Sequence, residues 1–340
     1  MAQWQYTRGL HELGGGSYAY LLPHGSWGDS NAGLIVDGDQ SMLVDTLFDL
    51  KLTGEMLKTM ADAVPAARSI DVLVNSHADG DHTFGNELVA GARIIASKDT
   101  ADEFFKLGPD KLHEIIANSK SLGEGAEFIA HHMGPERFDF TNITLTAPTE
   151  TYDRETSIKV GDKDVRLYNV GPAHTRGDTL VHVVQDKVVY TGDLLFLGVH
   201  PAIWDGSVDG WIRACDHLLS LDVDVVVPGH GPVTDKNGVR TFRNYLGMLV
   251  EESRKRFDAG LSVEDAAYDI ILTPPFDEWL SPERIAGSVN FLFLEWGSPT
   301  ATGNVLERFG MLSRYAKKKR CELDDHTTCT HGHKQVAHNH

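Results

Sequence analysis

Two histidines and two aspartates fall within six consecutive positions, His77-Ala78-Asp79-Gly80-Asp81-His82, directly behind the apolar run of "SIDVLVNSH". Imidazole nitrogens and carboxylate oxygens are the donors that divalent metals of intermediate hardness take. Alternate side chains of the cluster fall on one side of an extended turn, and Gly80 permits a sharp bend, so four ligands can converge. Three further candidates close later strand-like runs: His174 in "VGPAHTRGD", Asp193 in "YTGDLLF" and His230 in "VPGHGP". Side chains at strand ends from separate segments can meet on one edge of a layered α/β structure. The competing reading is a polar turn in which Asp81 or Thr83 caps the next helix. The three later candidates weigh against it. Neither a G-x-S-x-G elbow nor a Cys/His nucleophile signature is present.

These residues need elements to carry them. "YAYLLPHG", "AGLIVDGD" and "SMLVDT" read as an antiparallel meander, "LKLTGEMLKTMADAV" as an amphipathic helix and "SIDVLVNSH" as a buried strand, a βαβ progression. "HTFGNELVAG" reads as a short helix and "ARIIAS" as a strand; "KDTADEFFKLGPDKLHEIIANSK" reads as helix with a break at Gly108-Pro109. The pattern then restarts with "TSIKVGDKDVRLYNVG", "DTLVHVVQDKVVYTGD" and "VDVVVPGH", with the helix "DGWIRACDHLLSL" between the last two. Two strand-rich halves, each followed by helices, predict an α/β protein with two sheets face to face and helices outside, an αββα four-layer sandwich. Beyond "VRTFRNYLGMLVEESRKRFDAG" the chain is mostly helical, and few apolar residues follow Leu323. The expected organisation is a catalytic domain over 1–238, a helical extension over 239–322 packed on it, and a disordered His-rich tail over 323–340.

With the ordered set in view, the chain resembles the metallo-β-lactamase superfamily, whose signature is an HxHxDH cluster followed by a His, a bridging Asp and a last His. The resemblance spans roughly residues 14 to 235 and includes "LVDT", "GPAHTRGD", "TGDLLF" and "PGHG". It implies that His77 and His174 hold a first metal, that Asp81, His82 and His230 hold a second, and that Asp193 lies between them. One position departs from the signature: Asp79 stands where the family has its second His. The resemblance implies two divalent ions per chain, zinc foremost; a carboxylate is a harder ligand than imidazole, so Asp79 tilts the first site toward manganese or iron. The di-iron members carry a Glu at this position. Asp45 is read as a buried carboxylate bonded to the cluster loop, and Asp178 as a turn residue or a supporting group.

The function implied is that of a metallo-hydrolase in which a metal-bound hydroxide attacks a small ester, lactone, thioester or amide, with Asp81 orienting the water and moving its proton. The alternative is a di-iron, oxygen-activating oxidoreductase. The superfamily hosts hydrolases, oxygenases and redox proteins, so substrate does not follow from fold. His200 and Trp204, in "GVHPAIWDGSVDGW", are the candidates for substrate contact; "HHMGPERFDF", residues 131–140, reads as a packed loop that could also line a pocket.

Composition narrows the partners. The 340 residues, 41% of them hydrophobic, suffice for a large core, and a formal net charge of −18 disfavours a nucleic-acid backbone. With no apolar leader and no run of membrane-spanning length, a cytoplasmic setting, a small-molecule substrate and no membrane partner are expected. The C-terminal helices are left as a candidate homodimer contact. Cys215, Cys321 and Cys329 make no disulfide framework.

Overall fold

The computed structural model describes residues 4–23, 25–203 and 205–331, with side chains through residue 320. The expected substrate contact Trp204 lies outside the described residues.

Seven strands form the first sheet in chain order: β1 Gly9–Gly14, β2 Ser17–Leu21, β3 Ala32–Asp37, β4 Gln40–Val44, β5 Val72–Val74, β6 Arg93–Ser97 and β7 Glu150–Tyr152. β1 to β4 are antiparallel neighbours, whereas β4 to β7 pair in parallel. Parallel pairing needs a crossover, which the helix Leu50–Ala63 supplies between β4 and β5. Asp49 caps that helix, its Oδ1 accepting from the Leu52 N–H at 2.7 Å. Five strands form the second sheet: β8 Glu155–Val160, β9 Lys163–Asn169, β10 Thr179–Val183, β11 Val188–Tyr190 and β12 Val225–Val227, in the order β12-β11-β10-β9-β8. Only β11 and β12 run parallel in it, joined across the helix Val208–Ser220.

Period-two alternation decides which way each strand faces. Ile35, Met42, Val44, Val72 and Val74 meet Val165, Leu167, Val181, Val183 and Val188 between the sheets. Their neighbours Leu34, Leu43 and Leu73 face outward onto Met56 and Met60 of the crossover helix. The outer face of the second sheet, Leu180, Val189 and Val226, is covered by Trp211, Leu218 and Phe242 from later helices. Each such fully buried aliphatic side chain contributes roughly 1.5–3 kcal/mol. The result is the αββα sandwich that the sequence predicts.

The C-terminal helices Lys236–Asp258, Val263–Asp269, Arg284–Glu295 and Val305–His331 share that last apolar cluster, so the extension packs on the core. The first of them begins at Lys236, capped by Asp235. The last of them is assigned through His331. Residues 332–340 lie outside the described residues. No helix among the described residues is long and apolar enough to cross a membrane.

Candidate metal centre

The six-residue cluster adopts two conformations in succession. Asp79 is extended (φ −65°, ψ 146°), and Gly80–Thr83 forms one helical turn. Asp81 and His82 therefore project from a helical turn, where the sequence reading has a wholly extended one. Asp79 occupies the N-cap position but makes no side-chain capping hydrogen bond. Its Oδ2 turns instead to His174 Nε2, 3.2 Å away.

Asp193 sits at the middle of the constellation. Its Oδ1 lies 3.0 Å from His82 Nε2, and its Oδ2 lies 3.3, 3.4 and 3.9 Å from the Nε2 atoms of His230, His174 and His77. Two glycines allow this closeness. A Cβ at Gly192 (φ +49°) would meet Ser76 Oγ, and one at Gly229 would meet Asp193 Oδ1. Asp81 Oδ2 is 3.4 Å from His230 Nε2. Three groups bring their donor atoms within 4.8 Å of one another and could hold a metal: His77, Asp79 and His174; His77, His82 and Asp193; Asp81, His82 and His230. All seven predicted ligands are thus brought together, from the ends of β5, β9, β11 and β12.

Every imidazole is oriented from behind. His82 Nδ1 donates to Asp45 Oδ2 at 3.0 Å, and His77 Nδ1 donates to Ser76 Oγ at 2.9 Å. His174 Nδ1 donates to the Ala202 carbonyl at 2.8 Å, and His230 Nδ1 to the Asp29 carbonyl at 3.1 Å. With Nδ1 protonated, each neutral ring presents a lone pair on Nε2 to the centre, the arrangement in which outer hydrogen bonds fix the tautomer of a ligating His. His77 Nε2 and His82 Nε2 are buried and have no hydrogen-bond partner, nor has Asp193 Oδ1. Lone pairs facing carboxylate oxygens repel unless a cation or a proton lies between them. The donor set therefore fits a divalent ion.

The electrostatics express the same demand for positive charge. Burial alone would lower the His174 and His230 pKa values, but bonding to Asp79 and Asp81 and the charge of Asp193 raise both to about 9. His82 is likewise pushed well up by Asp193, Asp45 and Asp81 against the effect of burial. His77 moves down, through burial and the neighbouring His82. Burial would raise the Asp193 carboxyl, yet His230 and His82 hold it well below its ordinary range. Asp81 is lowered in the same way, against burial, by His82 and His230.

Asp45 takes the supporting place expected of it. Fully buried at the end of β4 in a left-handed conformation (φ 63°), it accepts from Ser76 N and Ser76 Oγ, both at 2.6 Å, as well as from His82. Asp178 is a turn residue that holds the His174 loop, its carboxylate accepting from Ala173 N at 3.1 Å and from Thr175 Oγ1 at 2.8 Å. His200 is fully buried, with Nδ1 2.9 Å from Tyr245 Oη and its ring edge-on to Trp279; burial lowers its pKa to about 3. In this structure it packs in the core and belongs to none of the three metal-ligand groups. The 131–140 segment is the packed one of its two readings: Phe138 and Phe140 are buried against Phe48, and His132 lies against Phe128.

The sequence reading passed over Ser76, Asp29, Ser30 and Asn31. Asn31 Nδ2 donates to the carbonyls of Pro228 at 2.9 Å and Gly231 at 2.8 Å, pinning the His230 loop, while Ser30 Oγ donates to the Asp81 carbonyl at 2.5 Å. The signal was a polar "DSN" standing between two strands of a meander.

A family described as the metallo-beta-lactamase superfamily matches residues 25–230. A curated relative, the 2,4-dinitroanisole O-demethylase subunit alpha of Nocardioides sp. (strain JS1661), is 24% identical over 201 residues, covering 58% of this chain and 51% of that protein. Among solved structures, the inverting sec-alkylsulfatase Pisa1 from Pseudomonas sp. superposes with a TM-score of 0.66 at 15% identity, over 86% of this chain and 50% of its own. A metallo-beta-lactamase from Pontibacter korlensis superposes with a TM-score of 0.52 at 19% identity, over 70% of this chain and 98% of its own. The chain thus spans about half the length of the O-demethylase subunit and of the sulfatase, and the likeness to both solved structures is one of fold.

Proposed function

The chain belongs to the metallo-beta-lactamase superfamily, and from that membership we propose that it is a metal-dependent hydrolase acting on a small ester, lactone, thioester or amide. The observation that carries the reading is the set of four imidazoles, each donating outward from Nδ1 and converging through Nε2 on the one carboxylate of Asp193. His77, Asp79 and His174 would hold one divalent ion and Asp81, His82 and His230 a second, with Asp193 shared. Bound there, such ions supply Lewis acidity and lower the pKa of a coordinated water toward about 7. Asp81, held ionised by His82 and His230 and 15% exposed at its side chain, is the group placed to orient a water and carry its proton to the leaving group. Phe196, stacked on His230 at 5.0 Å, and Trp211, beside His174, form an apolar floor that keeps bulk water from behind the ligands. The names of two relatives, an O-demethylase and a sec-alkylsulfatase, widen the scissile link to be tested from acyl esters to ethers and sulfate esters.

A second reading, an oxygen-activating di-iron protein, is favoured by Asp79, since carboxylate-rich sites suit iron. Metal analysis together with turnover separates the two. The full chain and a chain ending at His331, purified without chelator or metal-affinity steps, should both carry zinc or manganese and hydrolyse members of an ester and lactone panel without oxygen. Iron with a visible spectrum and oxygen-dependent turnover would reject the hydrolase. Asp79→His is expected to raise zinc affinity several-fold by restoring an imidazole to the first site. An unchanged zinc titration would remove Asp79 from the ligand set.

A further inference from the structure

A small cleft of about 20 Å³, partly open to solvent, is lined by Trp27, Ala202, Ile203, Arg284, Arg308 and Phe309 among others. Its wall reaches the metal centre from behind: the Ala202 carbonyl accepts from His174 Nδ1, on the side of the ring away from Nε2. Two arginines share an otherwise apolar wall. Arg284 is 3% exposed and Arg308 9%, so neither is a surface cation. The guanidinium of Arg284 stacks 4.0 Å over the Trp27 ring and donates from Nη1 to the His200 carbonyl at 3.0 Å, while its Nε has no hydrogen-bond partner. Burial lowers its pKa to about 10 despite Glu283, Asp193, Asp81 and Asp29 nearby. A guanidinium desolvated to this degree and incompletely hydrogen-bonded is unfavourable unless an anion completes it. Its planar fork is suited to oxoanions. Both arginines come from the helices beyond residue 230, outside the part of the chain that matches the family.

We propose that Arg284 and Arg308 seat an anionic oxygen group of the substrate, a carboxylate or a sulfate or phosphate group, in this cleft while the scissile bond lies over the metal centre. The placement of the scissile bond rests on the hydrolase reading; the anion seat does not. It adds a charge requirement to a substrate class that the acidic surface alone would leave neutral. The seat also gives the C-terminal helices a share in specificity.

The seat is tested on the full chain by thermal unfolding with sodium acetate, sulfate or phosphate against sodium chloride at equal ionic strength, before and after chelator treatment. We expect a saturable rise in Tm with at least one of the three, retained after chelation. It should be lost in Arg284→Met and in Arg308→Gln and kept in Arg243→Gln, an exposed arginine paired with Asp216. The anion that protects best identifies the group. No saturable effect in the wild type, or one that survives in both cleft variants, overturns the proposal. If Arg284→Met does not fold, Arg308→Gln and the wild-type titration decide. For a hydrolysed ester bearing a distal carboxylate, Arg284→Met should raise KM at least about tenfold without a matching change in kcat, and leave the carboxamide analogue unaffected. Arginine-dependent anion protection without any hydrolysis would reject the hydrolase alone; hydrolysis without such protection would reject the seat alone.

Discussion

Asp193→Asn should abolish both stable metal binding and turnover. The substitution keeps the shape of the side chain and removes the one charge that faces all four imidazoles, at 3.0 to 3.9 Å. An amide offers a single weak oxygen donor, and its NH2 group in place of the other oxygen would occupy the position needed by an ion. Gly229 packs against Asp193 Oδ1, so the side chain has no room to swing aside. Elemental analysis should give less than half the wild-type metal content. The rate on any substrate of the native chain should fall by at least about a thousandfold, on the order of 4 kcal/mol of transition-state stabilisation. Retention of both full metal content and rate would refute the central place given to this carboxylate.

Asp45→Asn is expected to have the second largest effect, through His82 and Ser76, which it positions at the candidate metal centre. Asn tolerates the left-handed backbone at this position, so the change isolates the charge and the acceptor. One carboxylate oxygen serves Ser76 N; the other serves Ser76 Oγ and His82 Nδ1. Whichever way the amide is turned, an N–H group then opposes at least one of these buried donors. Chemical unfolding of the chelated protein should show a loss of about 2–4 kcal/mol. Metal titration should show a weakening of about 10- to 100-fold, since His82 is no longer held in its tautomer. A variant whose unfolding free energy and metal affinity both match the wild type would show that Asp45 merely fills space.

Much of the fold was legible because strand alternation and helical spacing are local properties. "AGLIVDGD" and "SMLVDT" alternate inward and outward as β3 and β4 do, and "DGWIRACDHLLSL" is the helix Val208–Ser220. What escaped is short or marginal. β1, "GLHELG", is an edge strand with little apolar content, β7, "ETY", has three residues, and the helix Glu124–Met133 carries a glycine near its start. The seven candidate ligands that the fold brings together were legible because His and Asp close successive strand-like runs. Ser76, Ser30 and Asn31 were not, because a hydroxyl or amide shows its importance only once the loops it ties are adjacent in space. Arg284 was hidden for a related reason. Its segment reads as helix, but sequence spacing does not say against which wall the helix will dock.

The centre straddles the two halves of the sandwich. His77, Asp79, Asp81 and His82 follow β5 of one sheet, whereas His174, Asp193 and His230 follow strands of the other. An ion held by all of them would be a rivet through the two sheets, and its binding free energy would be cohesion energy of the fold. The two sheets could not part without shedding the ion, so resistance to unfolding would depend on free metal concentration, by about 4 kcal/mol at a thousand times the dissociation constant. Scarcity of metal would then do more than silence the site: it would loosen the molecule along the seam between its halves.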